Sequence, residues 1–197
     1  ISLALYVILN LHRIEVSKGI EHIWLIMLMK DQTFVDVIKY FPPILGLTLG
    51  IVQMAPEVSQ KRLKLTLHLP VGIYQTTGLM LLTGTMELIL IFMVQCLMIG
   101  VYYTKITQPE LTWRVLLTMI PWYIAGLNAY IYSTAAYIER SWRQRIVLGC
   151  IGISILCFYY AQPAPEAYNN VLAGCLIVTG LSVLCFFNSI IRFKEGL

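Results

Sequence analysis

Residues 76–103, TTGLMLLTGTMELILIFMVQCLMIGVYY, form a long apolar run whose single charged residue is Glu87. An α-helix needs about 20 predominantly apolar residues to cross the hydrocarbon core of a bilayer, and this run is longer than that. The apolar residues are continuous, whereas a strand of a membrane β-barrel alternates apolar and polar residues. The run therefore predicts a membrane-spanning α-helix.

The composition of the whole chain is also typical of a membrane protein. Its 197 residues are 58% hydrophobic and 12% charged. Soluble globular proteins are roughly 45–50% apolar and 25% charged. No polar stretch is long enough to form a soluble domain. We therefore expect an all-α integral membrane protein in which residues 1–197 form one transmembrane domain.

The apolar runs predict a bundle of six transmembrane helices. Residues 1–12 are too short for a complete span, so we expect them to be the C-terminal part of a first helix that is incomplete in this chain. A signal peptide is the alternative, but no small-residue cleavage site follows. The other spans are expected at residues 42–56, 76–103, 115–138, 146–161 and 170–191.

Lysine and arginine are distributed unevenly between the two sets of connecting segments. Segments 57–72 and 139–145 and the C-terminus hold most of the 14 bases and few acids, whereas the opposite segments hold equal numbers of both. Cytoplasmic segments of membrane proteins carry the excess of Lys and Arg, so we expect the first set in the cytoplasm. We expect a multi-pass protein of a bacterial plasma (inner) membrane.

The long segment 13–41 lies on the opposite side in this topology. Its residues 20–40 have apolar positions at nearly helical spacing with polar gaps. One interpretation is an amphipathic helix lying on the outer membrane surface. The other is a segment that packs over the outer ends of the spans.

Four polar residues within the predicted spans are candidates for a substrate path or for polar contacts between helices. A charge at the bilayer centre costs about 2.5–3.5 kcal/mol on insertion scales, so Glu87 is expected to face the protein interior or a cavity. Its candidate partners include Tyr130. Gln95 follows two turns later on the same helix. The four candidates are Glu87, Gln95, Asn128 and Asn188.

The sequence contains no pattern that predicts catalysis or metal binding by this chain. The three histidines, His12, His22 and His68, are far apart, and the five cysteines lie in apolar runs without a C-x-x-C pair. Metal sites need clustered ligands. The chain also lacks a P-loop, so we expect it neither to bind ATP itself nor to act as an enzyme.

The segment Glu57 to Pro70, EVSQKRLKLTLHLP, is a charged stretch between two apolar runs. Pro56 favours the start of a helix, which would put Glu57 in its first turn, where a negative charge suits the helix dipole. A basic cluster follows at residues 61–64. One interpretation is an anchor that binds lipid head groups. The other is a stiff docking element for a soluble partner.

This segment resembles the coupling segment of ABC-2-type exporter permeases, which have six helices. Those permeases carry an early Glu, a basic cluster, a leucine-rich stretch and a Leu-Pro ending between the second and third helices. The corresponding positions here begin at Glu57 and end at Leu69-Pro70. Three features depart from the family: the outer loop 162–170 is short, the long segment 13–41 lies on the other outer loop, and the usual N-terminal interfacial helix is not visible.

The resemblance implies a coupling helix that fits a cleft on a separate ATP-binding ABC subunit, which binds ATP and Mg. Two permeases, identical or homologous, and two ATPases make one transporter in that family. Membrane lipid is the other expected partner, and no nucleic acid or cofactor is expected for this chain. The residues implied to couple to the ATPase are Glu57, Gln60, Lys61, Arg62, Lys64, His68 and Pro70.

Three hypotheses follow. The first is the permease subunit of an ATP-driven exporter. The second is a structural or assembly membrane protein without transport activity. The third, which the absence of paired catalytic groups disfavours, is an intramembrane enzyme.

Overall fold

The computed structural model describes residues 2–60, 72–162 and 164–195, and within these residues all regular secondary structure is helical. This confirms the predicted all-α fold class. Short 3-10 turns at Asp36–Ile38 and Asn169–Val171 precede two of the longer helices. The α-helices are α1 (Ser2–Lys18), α2 (Ile20–Met29), α3 (Phe41–Ser59), α4 (Ile73–Ile106), α5 (Pro109–Ile138), α6 (Trp142–Tyr159) and α7 (Leu172–Glu195).

Several helices extend beyond the apolar runs that predicted them. The helix α5 begins at Pro109 rather than at residue 115, with the proline in its first turn, where a missing N–H costs no helical hydrogen bond. The helix α4 likewise begins at Ile73. Hydropathy marks the part of a helix at the depth of the lipid chains, whereas the backbone stays helical into the more polar layer on either side.

Four helices in the described residues are long and apolar enough to cross a membrane: Asp36–Ser59, Tyr74–Ile106, Pro109–Ile138 and Asn169–Lys194. The helices α1 and α6 are not among them. Arginines at positions 143 and 145 lower the hydropathy of α6, and His12, Arg13 and Glu15 do the same for α1. The structure thus supports a membrane protein with four clear candidate spans.

The helix α5 is the centre of the bundle and packs most closely against α3. A Cβ atom added at Gly46 of α3 would overlap the backbone of Gly126 of α5, and one added at Gly50 would lie 3.0 Å from the Tyr130 carbonyl oxygen. Small residues allow membrane helices to approach this closely. Because Gly46 faces Gly126 and Gly50 faces Tyr130, the two helices run in the same direction.

The helix ends gather at two ends of the bundle. Val58 of α3, Ile138 of α5 and Ile190 of α7 share one apolar cluster at the end that also holds Arg145 and Arg192. We call this the basic end. It holds the ends of α3, α5 and α7 and the starts of α4 and α6.

The segment between α1 and α3 packs against the opposite end of the bundle. Ile23 and Met27 of α2 are buried in a cluster with residues of α4 and α5. The indole nitrogen of Trp24 donates to the Ile106 carbonyl oxygen at 2.9 Å. Of the two interpretations of this segment, packing over the ends of the spans describes its contacts.

Candidate functional site

The predicted coupling segment begins at the basic end, where the structure corrects the role expected for Pro56. Pro56 lies inside α3, which continues to Ser59, so Glu57 is in the last turn of a long helix and not in the first turn of a new one. Glu57 is half-buried and Gln60 is exposed just after the helix. Because Pro56 has no N–H, it cannot donate to the carbonyl oxygen of Val52, so α3 lacks one helical hydrogen bond near its end.

The remaining residues of the predicted coupling segment, Lys61, Arg62, Lys64, His68 and Pro70, lie outside the described residues. The structure does describe both helices that flank them. Met54, near the end of α3, and Leu81 of α4 are buried in the same apolar cluster as Tyr130 and Ile131 of the central helix α5. The segment therefore connects two helices that both pack on α5.

Glu139 forms a second feature of the basic end, which the sequence did not predict. Its side chain is only 2% exposed, although the sequence places it in a polar connection. Its carboxylate lies 3.7 Å from the Arg192 guanidinium on α7 and has no hydrogen-bond partner among the described residues. Arg145 of α6 donates to the Glu139 backbone oxygen at 2.8 Å. The connection 139–145 thus holds α5, α6 and α7 together.

Asn128 lies at the centre of a polar cluster in the interior. The side chain is fully buried, and its amide nitrogen donates to Thr179 Oγ1 at 2.8 Å and to Tyr159 Oη at 3.1 Å. Its oxygen accepts from the Ser182 hydroxyl at 2.9 Å. Ser182 is also 3.2 Å from the hydroxyl of Tyr132. These contacts tie α5 to α6 and α7.

A second polar cluster ties α5 to α3 and α4. The Gln53 amide nitrogen on α3 donates to the Met80 carbonyl oxygen on α4 at 2.8 Å. Its oxygen accepts from the Tyr130 hydroxyl at 2.6 Å. Because Tyr130 and Asn128 are two residues apart on a helix, about 200° around its axis, the two clusters lie on opposite flanks of α5.

Glu87 does not face the interior, contrary to the expectation from its charge. It is exposed, and its carboxylate has no hydrogen bond to any described residue. The inner face of α4 is set by Leu81, Leu88, Phe92 and Ile99, which are buried at intervals of four or seven residues. Glu87 precedes Leu88 by one residue, about 100° around the helix, and therefore lies off that face.

The other two candidates, Gln95 and Asn188, lie in different environments. Gln95 is 1% exposed, and neither polar atom of its amide has a hydrogen-bond partner among the described residues. It is eight residues after Glu87, about 80° further around the axis, so these two residues of one helix lie on different sides. Asn188 is exposed on α7. No hydrogen bond within the described residues joins any two of the four candidates.

Sequence reasoning missed the residues that complete the two clusters. Thr179 and Ser182 are three residues apart in an apolar run, the spacing of neighbours on one helix face. That spacing was a detectable signal for a polar contact between helices. Gln53 is a lone amide in its apolar run, and nothing in the sequence pairs it with Tyr130.

The arrangement of these side chains supplies polar contacts between helices. The described residues contain no group of three His, Cys, Asp or Glu side chains that could hold a metal ion. The buried hydroxyls and amides that gather around Asn128 are hydrogen-bonded to one another across three helices. No family model matches the chain, and no curated protein or solved structure is significantly similar to it.

Proposed function

We propose that this chain is the membrane-spanning permease subunit of an ATP-driven exporter, coupled to a separate ABC-type ATPase through residues 57–70. ATP and Mg bind in that ATPase. A second permease copy or a homologous permease completes the membrane part. The resemblance of residues 57–70 to a coupling segment is the sequence argument for this proposal.

The observation that carries the proposal is the attachment of this segment to the central helix. The segment joins α3 to α4, and Gln53 of α3 is hydrogen-bonded to both α4 and α5. A force applied between residues 60 and 72 would therefore reach α5 through both flanking helices. This is the mechanical connection that a coupling element needs.

The proposal includes six spans, with the basic end in the cytoplasm of a bacterial cell. The helix α1 supplies Ala4, Val7 and Leu11 to a cluster with Met119 of α5, and α6 lies along the other flank of α5. In the proposed topology these two helices are the first and fifth spans. The excess of Lys and Arg at the basic end supports its cytoplasmic assignment.

In this proposal the substrate path forms between two permeases. Glu87 is exposed on the outer face of α4, where a path between two copies would lie. A carboxylate at membrane depth is stable when it faces water or a partner rather than lipid.

The test is charge reversal at Arg62, measured as ATPase co-purification and ATP hydrolysis in proteoliposomes. We expect Arg62→Glu to abolish complex formation or reduce ATP hydrolysis at least ten-fold, since one repulsive charge at an interface costs several kcal/mol. The matched control is Arg13→Glu, a reversal of the same charge in α1 near the opposite end of the bundle. Retained coupling in Arg62→Glu, with normal insertion, would contradict the proposal.

A structural or assembly protein without transport activity is the second candidate. It is favoured by the interior cluster around Asn128, whose polar groups are hydrogen-bonded to one another across three helices of one chain. This candidate expects no co-purifying ATPase and no ATPase gene beside its own. The third candidate, an intramembrane enzyme, expects Glu87→Gln to abolish a chemical product while assembly is retained.

A further inference from the structure

A groove lies between α3, α5 and α6. Its volume is about 280 Å³, and its walls are largely apolar, formed by side chains that include Leu47, Ile51, Ala129 and Leu156. It extends along α6 from Leu156 to Arg145, three turns of helix or about 16 Å at 1.5 Å per residue. The groove is therefore long, narrow and suited to an extended apolar group.

Two glycines of α6, Gly149 and Gly152, line the groove. A Cβ atom added at Gly149 would meet no atom within 4 Å. One turn further, a Cβ atom on Gly152 would lie 3.0 Å from the Cβ atom of Tyr132, so α6 touches α5 there. The helices are thus in contact at Gly152 and leave an open space at Gly149.

Arg145 lies at the basic end of the groove and is the one charged residue among the described residues that line it. Its guanidinium is held by a 2.8 Å hydrogen bond to the Glu139 carbonyl oxygen and by stacking 5.2 Å from the Trp142 ring centre. Its Nε atom is buried and has no partner among the described residues. The Arg145 guanidinium is therefore a fixed cation at one end of an apolar groove.

We propose that this groove binds one anionic phospholipid from the surrounding membrane. One acyl chain lies along α6 past Gly149, and the phosphate accepts hydrogen bonds from Arg145. An anion attached to an extended chain matches the groove in both charge and shape, and basic pockets between membrane helices recognise anionic head groups. The inference does not depend on the proposed transport function.

The position of the groove along the helix agrees with a lipid whose head group is at the membrane surface. Trp142 is 72% exposed one turn before Arg145. Tryptophan is enriched at the level of the lipid head groups. Arg145 is therefore at the depth where a phosphate lies, and Gly149 is at the depth of the acyl chain.

The first test fills the groove and measures lipid binding by native mass spectrometry. The full chain, purified in mild detergent, is titrated with phosphatidylglycerol and, separately, with phosphatidylcholine. We expect phosphatidylglycerol to bind at least five-fold more tightly, and Gly149→Phe to remove this bound lipid. The matched control is Gly180→Phe on α7, where an added Cβ atom also meets no atom within 4 Å.

The second test compares two arginines on the same turn of α6. We expect Arg145→Gln to weaken phosphatidylglycerol binding about five-fold, because the variant loses the attraction of one cation for an anionic lipid. Arg143→Gln, an exposed residue outside the groove, should change it less than two-fold.

Any one of three results would overturn the proposal. The first is that the Gly149→Phe variant binds phosphatidylglycerol as tightly as the wild type does, and the second is that the Arg145→Gln and Arg143→Gln variants lose equal affinity. The third result is phosphatidylcholine binding to the wild type as tightly as phosphatidylglycerol. If Gly149→Phe does not fold, the wild type is labelled with phosphatidylglycerol that carries a photoreactive group midway along one chain. Labelling of residues 145–156 supports the groove, and labelling confined to other helices rejects it.

Discussion

The central helix α5 and the peripheral helix α7 are both long enough to cross a membrane, but they contribute to the bundle in opposite ways. In its most apolar window α5 is 72% buried, whereas α7 is 17% buried. Yet α7 is the more apolar of the two. A helix surrounded by other helices tolerates polar side chains, whereas a helix exposed to lipid does not. In this protein, hydropathy therefore indicates contact with lipid rather than burial.

The polar residues of the two helices follow the same rule. Thr112, Thr118, Asn128 and Thr134 of α5 are all buried and hydrogen-bonded. In α7, Ser182 is buried and bonded to Asn128 of α5. Thr179 and Ser182 of α7 therefore both face α5.

The largest expected difference between interior and periphery comes from the same substitution at two glycines. Gly46→Ala should lower the free energy of unfolding by about 3 kcal/mol, because its Cβ atom overlaps the backbone of Gly126 and α3 must move away from α5. Gly180→Ala, on the exposed face of α7, should raise it by about 0.5–1 kcal/mol through helix propensity. Denaturation with SDS in mixed micelles measures both.

The sign of the effect is the critical outcome for these glycines. If Gly46→Ala leaves the free energy of unfolding unchanged, α3 and α5 do not approach each other as closely as described. If Gly180→Ala destabilises the protein as much as Gly46→Ala does, α7 is not peripheral.

A smaller difference is expected between two asparagines. Asn128→Leu should cost about 2 kcal/mol, because it removes three hydrogen bonds between helices, each contributing about 0.6 kcal/mol in membrane proteins. Asn188→Leu, at an exposed position of α7, should cost less than about 0.5 kcal/mol. The same SDS titration measures both variants, and equal losses would place the polar cluster elsewhere.

The smallest difference is expected from removing one hydroxyl. Tyr130→Phe leaves the Gln53 side-chain oxygen without its 2.6 Å donor and should cost about 1 kcal/mol. Tyr74→Phe, at a residue 62% exposed, should have no measurable effect. A double-mutant cycle with Gln53→Leu isolates the pair energy, and additive losses would mean that the two side chains do not interact.

The helices were predictable because each span is a long apolar run, and the errors lie at their ends. The start of α5 was placed at residue 115 because Glu110 and Arg114 interrupt the apolar pattern, although both are within the helix. Pro56 was expected to begin a helix. It lies in the last turn of α3 instead, because the helix continues to Ser59 without the one hydrogen bond that the proline cannot donate.

The positions of the polar residues were less predictable than the helices. Glu87 and Asn128 are both polar residues in apolar runs, but Glu87 is exposed and Asn128 is fully buried. A polar residue in an apolar run is expected to need a polar partner. The sequence does not show on which side of the helix that partner lies. Glu139 shows the converse, since a residue in a polar connection is buried beside Arg192.

The sequence by itself determined that this protein is helical, suited to a membrane and more basic at one set of connections. Those properties are sums over consecutive residues, and a bilayer selects for them locally. Only the tertiary structure decided that α5 is central and that Gly149 leaves a groove ending at Arg145. A membrane helix is largely apolar on every face, so its hydropathy alone does not identify the inner face, which is selected by packing between small residues.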